Sequence, residues 1–442
     1  MHSSTRHRGR RAAATVGLAL LFMSAAEAPA LAETSREQQW FLDAMHAEDM
    51  WKVTTGEGVT VAVIDTGVDP TNPDLKGRIL PGKDLAEDLT GDEHTDYDGH
   101  GTGMAGLIAG TGSYGGGKGS FGLAPGSKIL PVRMPNPLVA ANEAEASKRF
   151  NETLPTAIRY AVDNGARVIN VSLAQREDDQ QVTDAVKYAL KQGSLVFAGV
   201  GNDGDKGNPV MYPAATPGVV GVAAVGRDLR RTSESEFGPQ VDMAAPGQDM
   251  IHACGGKTGL CRSSGTSDAT ALASASAALI WSVHPDWTNN QVLRVMLNTL
   301  GAPTDGAKRN DSIGYGIVRP RIALANPGDP GPADVYPLPD LKAAASAPPS
   351  TAPSEKGADT KPAAAQDADG DSVPWVAVVA GAAVLLAGAI AGVMVVTRRR
   401  RRAAVTPPTT VSGQVPYPAP GYGPPPGTSD PVHRPGSGPG GF

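Results

Sequence analysis

The sequence predicts an α/β domain with a mainly parallel central sheet and helices on both faces, and three observations carry that prediction. Four short runs, Val59 to Ile64, Lys128 to Val132, Val168 to Ser172 and Leu195 to Gly199, are apolar and β-branched without polar alternation, as strands covered on both faces require. Helically patterned stretches, Leu154 to Asn164 and Gln181 to Gln192, lie between them. Ordinary globular composition runs from residue 33 to residue 325, enough chain for one large domain.

The flanks have a different character. Residues 1–32 carry a basic start (Arg6, Arg8, Arg10, Arg11), an apolar run from Thr15 to Ala25 and small residues at Ala30-Leu31-Ala32, the layout of a secretory signal cleaved after Ala32. Residues 326–372 are rich in Pro, Ala, Ser, Asp and Lys and are expected to form a disordered tether. Residues 373–397 are almost wholly apolar and long enough for a transmembrane helix. Arg398 to Arg402 follow directly, which places the basic, then Pro/Gly-rich tail 398–442 in the cytoplasm and the globular domain outside. The expected location is therefore the cell membrane, with a single C-terminal span. Lys plus Arg is 39 against 45 Asp plus Glu, a net charge of -6, which leaves no broad basic surface and excludes a nucleic-acid partner.

Three glycine-flanked motifs occur in order: Val61-Ala62-Val63-Ile64-Asp65-Thr66-Gly67, Asp98-Gly99-His100-Gly101-Thr102-Gly103 and Ser264-Gly265-Thr266-Ser267. Asp65 ends a buried strand, where a carboxylate is costly unless a partner accepts its charge, and a histidine nitrogen is the natural partner. His100 stands at a helix start between glycines that let its ring approach its neighbours. Ser267 opens a run of small residues, Ala269 to Leu279, that reads as a helix, and the helix dipole and unpaired amides lie near its oxygen.

In these motifs the chain resembles the subtilisin-like serine proteases, whose catalytic triad follows the order Asp, His, Ser. Gln39-Trp40-Phe41, Trp51, Thr54-Thr55-Gly56, Ala124-Pro125 and Gly314-Tyr315-Gly316 extend the resemblance over most of residues 40 to 320. It implies a three-layer fold, catalysis by Asp65, His100 and Ser267 without a cofactor, and a protein or peptide substrate. Asn202, within Gly199-Val200-Gly201-Asn202-Asp203-Gly204, matches the family's oxyanion asparagine. Ser172, Leu173 and Ala174 resemble the edge that pairs with substrate, and Gly199, Val200 and Gly201 would complete the pocket walls. Two positions depart from the family pattern: Asp268 replaces a large apolar residue, and Ala271 replaces a proline, which predicts a straighter helix there.

Cys254 and Cys261 are the only cysteines, and in an exported chain they are expected to form a disulfide, adding roughly 2.5 kcal/mol in the chain-entropy account. The acidic stretch Asp84 to Asp98 lacks the spacing of a dedicated calcium loop, so no metal is expected. Signal, catalytic domain, tether, span and arginines together resemble the mycosins, membrane-anchored proteases of type VII secretion systems. That resemblance implies action on exported proteins and association with a secretion-system membrane complex. The alternative reading is a structural component of such a complex whose proteolytic activity is dispensable.

Overall fold

The computed structural model describes residues 34–255 and 259–346. The expected signal, span and cytoplasmic tail, and the tether beyond residue 346, lie outside the described residues. Among the described residues no helix is long and apolar enough to cross a membrane.

Seven strands form the central sheet: β1 (Thr60–Asp65), β2 (Lys83–Asp84), β3 (Lys128–Arg133), β4 (Val168–Val171), β5 (Leu195–Gly199), β6 (Val219–Val225) and β7 (Met243–Pro246). Their order is β2-β3-β1-β4-β5-β6-β7, and every pairing is parallel. Period-two alternation divides each strand between two cores. Val61 and Val63 enter one, and Ala62 and Ile64 enter the other.

The first core is closed by α1 (His100–Ala109) and α4 (Thr266–Val283). The second is closed by α2 (Glu143–Asp163) and α3 (Gln180–Lys191). α5 (Asn289–Thr299) packs with the first core through Val292, Leu293, Val295 and Met296. Helix starts follow local chemistry: Asn142 caps α2, Asp179 caps α3, and Thr288 with Gln291 makes a reciprocal box on α5. α4 is dominated by Ala and Ser, which lets it lie close under the sheet, and it continues without interruption through the fully buried Ala271. A short antiparallel hairpin, β8 (Met250–Ala253) with β9 (Leu260–Ser263), precedes α4.

The sequence reading differs from the structure in several places. β6 and β7 are absent from that reading: Val219–Val225 is an apolar, Val-rich run of the same kind as the four strands it names, whereas Met243–Pro246 has no β-branched residue and is decided by its burial on both faces. α2 begins at Glu143, eleven residues before the expected start, with Pro155 buried inside it. The tether does not begin at residue 326. Residues 326–346 fold onto the domain, because Leu338 is buried against the first core and the Arg294 guanidinium donates to the carbonyls of Pro330, Pro332 and Val335. Asp340 also accepts from the Gly218 amide at 2.5 Å.

β1 and α1 approach each other closely at Gly101. A Cβ there would stand 2.2 Å from the Gly67 carbonyl oxygen and 3.1 Å from Asp65 Cβ. Gly101→Ala is therefore expected to destabilise the domain by about 1–3 kcal/mol, read as a lower urea midpoint at unchanged m-value.

Candidate active site

The candidate site lies at the carboxyl edge of the sheet, where β1, β4 and β5 hand the chain to loops and α1 and α4 begin. Asp65, the last residue of β1, is fully buried. Its Oδ1 accepts from the Thr66 amide at 2.8 Å and from His100 Nδ1–H at 2.7 Å. Two donors on one oxygen stabilise a charge that the apolar end of a strand could not otherwise hold. Nδ1 is thereby the protonated nitrogen, and Nε2 is left to act as acceptor.

The His100 side chain is 30% exposed, with its ring open to the cleft. Burial works against its positive charge. The Asp65 carboxylate, by charge and by hydrogen bond, outweighs burial with help from Asp268 and Asp98, and the imidazole pKa is pushed up to about 9.

Asp96 holds this arrangement in place. One of its oxygens accepts from the Gly99 amide and the Thr66 hydroxyl, both at 2.7 Å; the other accepts from the Thr102 amide at 2.8 Å and the Thr102 hydroxyl at 2.6 Å. The Thr66 hydroxyl in turn accepts from the Gly101 amide at 2.9 Å. Asp96 thus caps α1 and ties it to the end of β1. The sequence reading counted it only within an acidic run, because a cap spanning a loop and a strand leaves no local motif.

Ser267 is the second residue of α4. Its hydroxyl donates to the Ser172 carbonyl at 3.1 Å rather than to His100, and the Ser172 hydroxyl donates back to the Ser267 carbonyl at 3.3 Å. Behind them, Asn170 Nδ2 donates to Ser172 Oγ at 2.9 Å and its Oδ1 accepts from Ser274 Oγ at 3.1 Å, a buried polar seam between β4 and α4. His100, Ser267 and Asn202 line one cleft of about 830 Å³.

Asn202 is oriented by Thr266, whose amide (2.8 Å) and hydroxyl (3.2 Å) both donate to Oδ1. A backbone N–H can only donate, so the contacted atom is the amide oxygen, and Nδ2 is the donor left for the cleft. Gly201, at φ 113, could not carry a side chain: a Cβ would meet the Glu236 carboxylate at 2.4–2.5 Å. Glu236 is fully buried behind this loop, and burial pushes its carboxyl up to about 7.

Ser172, Leu173, Ala174, Gly199 and Gly201 line a pocket together with His100, Asn202 and Ser267. Val200 does not line it. Strand alternation turns its side chain into the second core, and its amide donates to the Val222 carbonyl. Residues 172–174 run past the end of β4, outside the sheet's pairing.

Cys254 and Cys261 form a disulfide at the rim of the cleft. Asp268, noted in the sequence only as a departure, sits on the same wall, fully within the fold at 2% exposure. Asp92, Glu93 and His94 bring one ligand atom each within 4.8 Å of one another. Their groups are engaged locally: Asp92 accepts from the His94 amide, Glu93 from the Gly82 amide, and His94 Nε2 lies 3.3 Å from the Leu80 carbonyl.

The subtilase family profile matches residues 56–316. An intracellular serine protease of Paenibacillus polymyxa is 34% identical over 245 residues, 54% of this chain and 71% of its own length. The solved structure of the MycP3 protease from the type VII (ESX-3) secretion system superposes with a TM-score of 0.57 at 32% identity, covering 67% of this chain and 90% of that one. A chain of the intact ESX-5 inner membrane complex superposes with a TM-score of 0.58 at 26% identity, covering 80% of this chain and 90% of that one. With this sheet order, this site geometry and these likenesses, the chain belongs to the subtilase family and is a subtilisin-like serine endopeptidase.

Proposed function

We propose that this protein is a membrane-anchored, extracytoplasmic endopeptidase that cleaves exported proteins, works in association with a type VII secretion complex, and uses Asp65, His100 and Ser267 as its triad. The observation that carries the catalytic part is the 2.7 Å contact between His100 and the buried Asp65, in a cleft shared with Ser267. The likeness to MycP3 and to an ESX-5 membrane-complex chain supports the secretion part, and the apolar run 373–397 followed by five arginines supports the anchor.

In this reading a substrate backbone adds to the open edge 172–174 and takes over the Ser172 carbonyl. That frees the Ser267 hydroxyl, which attacks the scissile carbonyl as its proton passes to His100 Nε2. Asn202 Nδ2 and the Ser267 amide receive the oxyanion. The imidazolium, steadied by Asp65, then gives its proton to the leaving amine, and the acyl ester on Ser267 is released by a water that His100 deprotonates. The Gly199–Gly201 side of the cleft holds the acyl part, so the wall bearing Asp268 faces the leaving amine.

Fluorophosphonate labelling of the full-length protein is expected to modify Ser267 and to vanish in Ser267→Ala; labelling that survives the substitution places the nucleophile elsewhere. Asn202→Leu is expected to lower kcat by about 10²–10³, the size of effect that loss of one oxyanion donor has in subtilisin, with KM little changed. The neutral imidazole is the base, and an imidazole titrating at about 9 is only about 1% neutral at pH 7. Accordingly kcat/KM should climb with pH across the neutral range and level off above about 9. A profile already flat by neutral pH would contradict the Asp65–His100 coupling.

A further inference from the structure

Beside the triad runs a second hydrogen-bonded chain that the mechanism above does not use. Asp268 Oδ1 contacts Ser263 Oγ. The same Oγ lies 2.8 Å from His252 Nε2, and His252 Nδ1 lies 2.7 Å from the Ala253 carbonyl. His252 and Ser263 stand on the two strands of the β8–β9 hairpin, and Asp268 stands in the first turn of α4. His252 is 4% exposed and Asp268 2%. The ring also lies against α1, where a Cβ on Gly103 would meet His252 Cε1 at 2.7 Å.

Proton counting constrains this chain. A carbonyl only accepts, so the contact to Ala253 uses Nδ1–H. The two remaining contacts each need a proton, yet a neutral histidine has no second N–H and a serine hydroxyl supplies one. Three contacts therefore require a third proton, carried by Asp268 as a carboxylic acid or by His252 as an imidazolium.

We infer that the Asp268–Ser263–His252 chain holds one extra proton beside the catalytic imidazole, and that Asp268 is a positioning residue whose charge, once that proton leaves, favours the protonated form of His100. The inference rests on the triad reading proposed above. Burial is the leading influence on both ends: it lifts Asp268 to about 6, against the Ser263 hydrogen bond and the His100 charge, and it lowers His252. Of the other charged groups, His100 at the entry to α1 acts on both Asp268 and His252, while Asp65 and Asp98 act on His100 itself. Asp69, His94 and Asp96 share the cleft wall. Arg262 and Asp249 on the hairpin side are half exposed and lie 3.8 Å apart.

Two neighbouring proton losses oppose each other, because the first leaves a negative charge that holds the second proton. The acid limb of kcat/KM should then be broader than one ionisation. Losing the relay proton also leaves one contact unsupplied, so the arrangement with all three contacts is the proton-loaded form.

Asp268→Asn tests this directly. An asparagine donates to Ser263 Oγ through Nδ2, Ser263 donates to His252 Nε2, and all three contacts are made with no proton to lose. Expected for D268N is an acid limb that fits a single ionisation and lies about one pH unit lower than wild type, a gain of about tenfold in kcat/KM at pH 7. Ser263→Ala removes the donor that favours the Asp268 carboxylate and should move the limb the same way, which covers the case of a poorly folded D268N. A wild-type limb fitted by one ionisation, or a limb that neither variant moves, overturns the inference. Fluorophosphonate labelling of the same wild-type sample separates that result from failure of the triad reading: a protein that labels at Ser267 but shows an unmoved limb refutes the relay alone.

Discussion

The structure is organised around a single buried charge. Asp65 ends a strand that is covered on both faces, so its carboxylate has no water to turn to and must be satisfied by donors brought from elsewhere in the chain. One donor is its neighbour's amide, and the other is the imidazole of the first residue of α1. Bringing that imidazole in requires α1 to start within touching distance of β1, which in turn requires no side chain at Gly101 and a cap, Asp96, that reaches both elements. The remaining geometry of the cleft follows from where β1, β4 and β5 end relative to one another in the parallel sheet.

Much of this was legible in the sequence because the signals are local. Strands β1, β3, β4 and β5 announce themselves as uninterrupted apolar runs, and Asp65, His100 and Ser267 each sit in a short glycine-flanked motif at the end of an element. What escaped was set by tertiary partners. Asp96 looks like any other acidic residue in a polar loop, and only its five donors reveal it as a cap. Val200 lies between two glycines that do face the pocket, but its own side chain points the other way. Residues 326–346 have linker composition, yet Leu338 and the carbonyls claimed by Arg294 suffice to hold them down.

Polar groups buried around the cleft do more than satisfy hydrogen bonds. The seam from Ser274 through Asn170 to Ser172 fixes the height of α4 against β4, and with it the position of the Ser267 oxygen. Thr266 selects the orientation of Asn202, so that the residue before the proposed nucleophile also aims the amide proposed to meet the oxyanion. In the proposed reaction α4 thus sets both partners of the carbonyl carbon and oxygen, and an error in its placement would displace both together.

The connectivity of the sheet has a temporal consequence. β1 can be hydrogen-bonded on both sides only after residues more than sixty and more than a hundred positions downstream have arrived, and the serine is contributed later still, from residue 267. Contacts so distant along the chain form slowly and together. With the proposed triad, a nascent or unravelled polypeptide carries no partial cutting machinery: the three groups are inert until nearly the whole domain has condensed, and destructive chemistry is withheld from the molecule's own loose segments for as long as they remain loose.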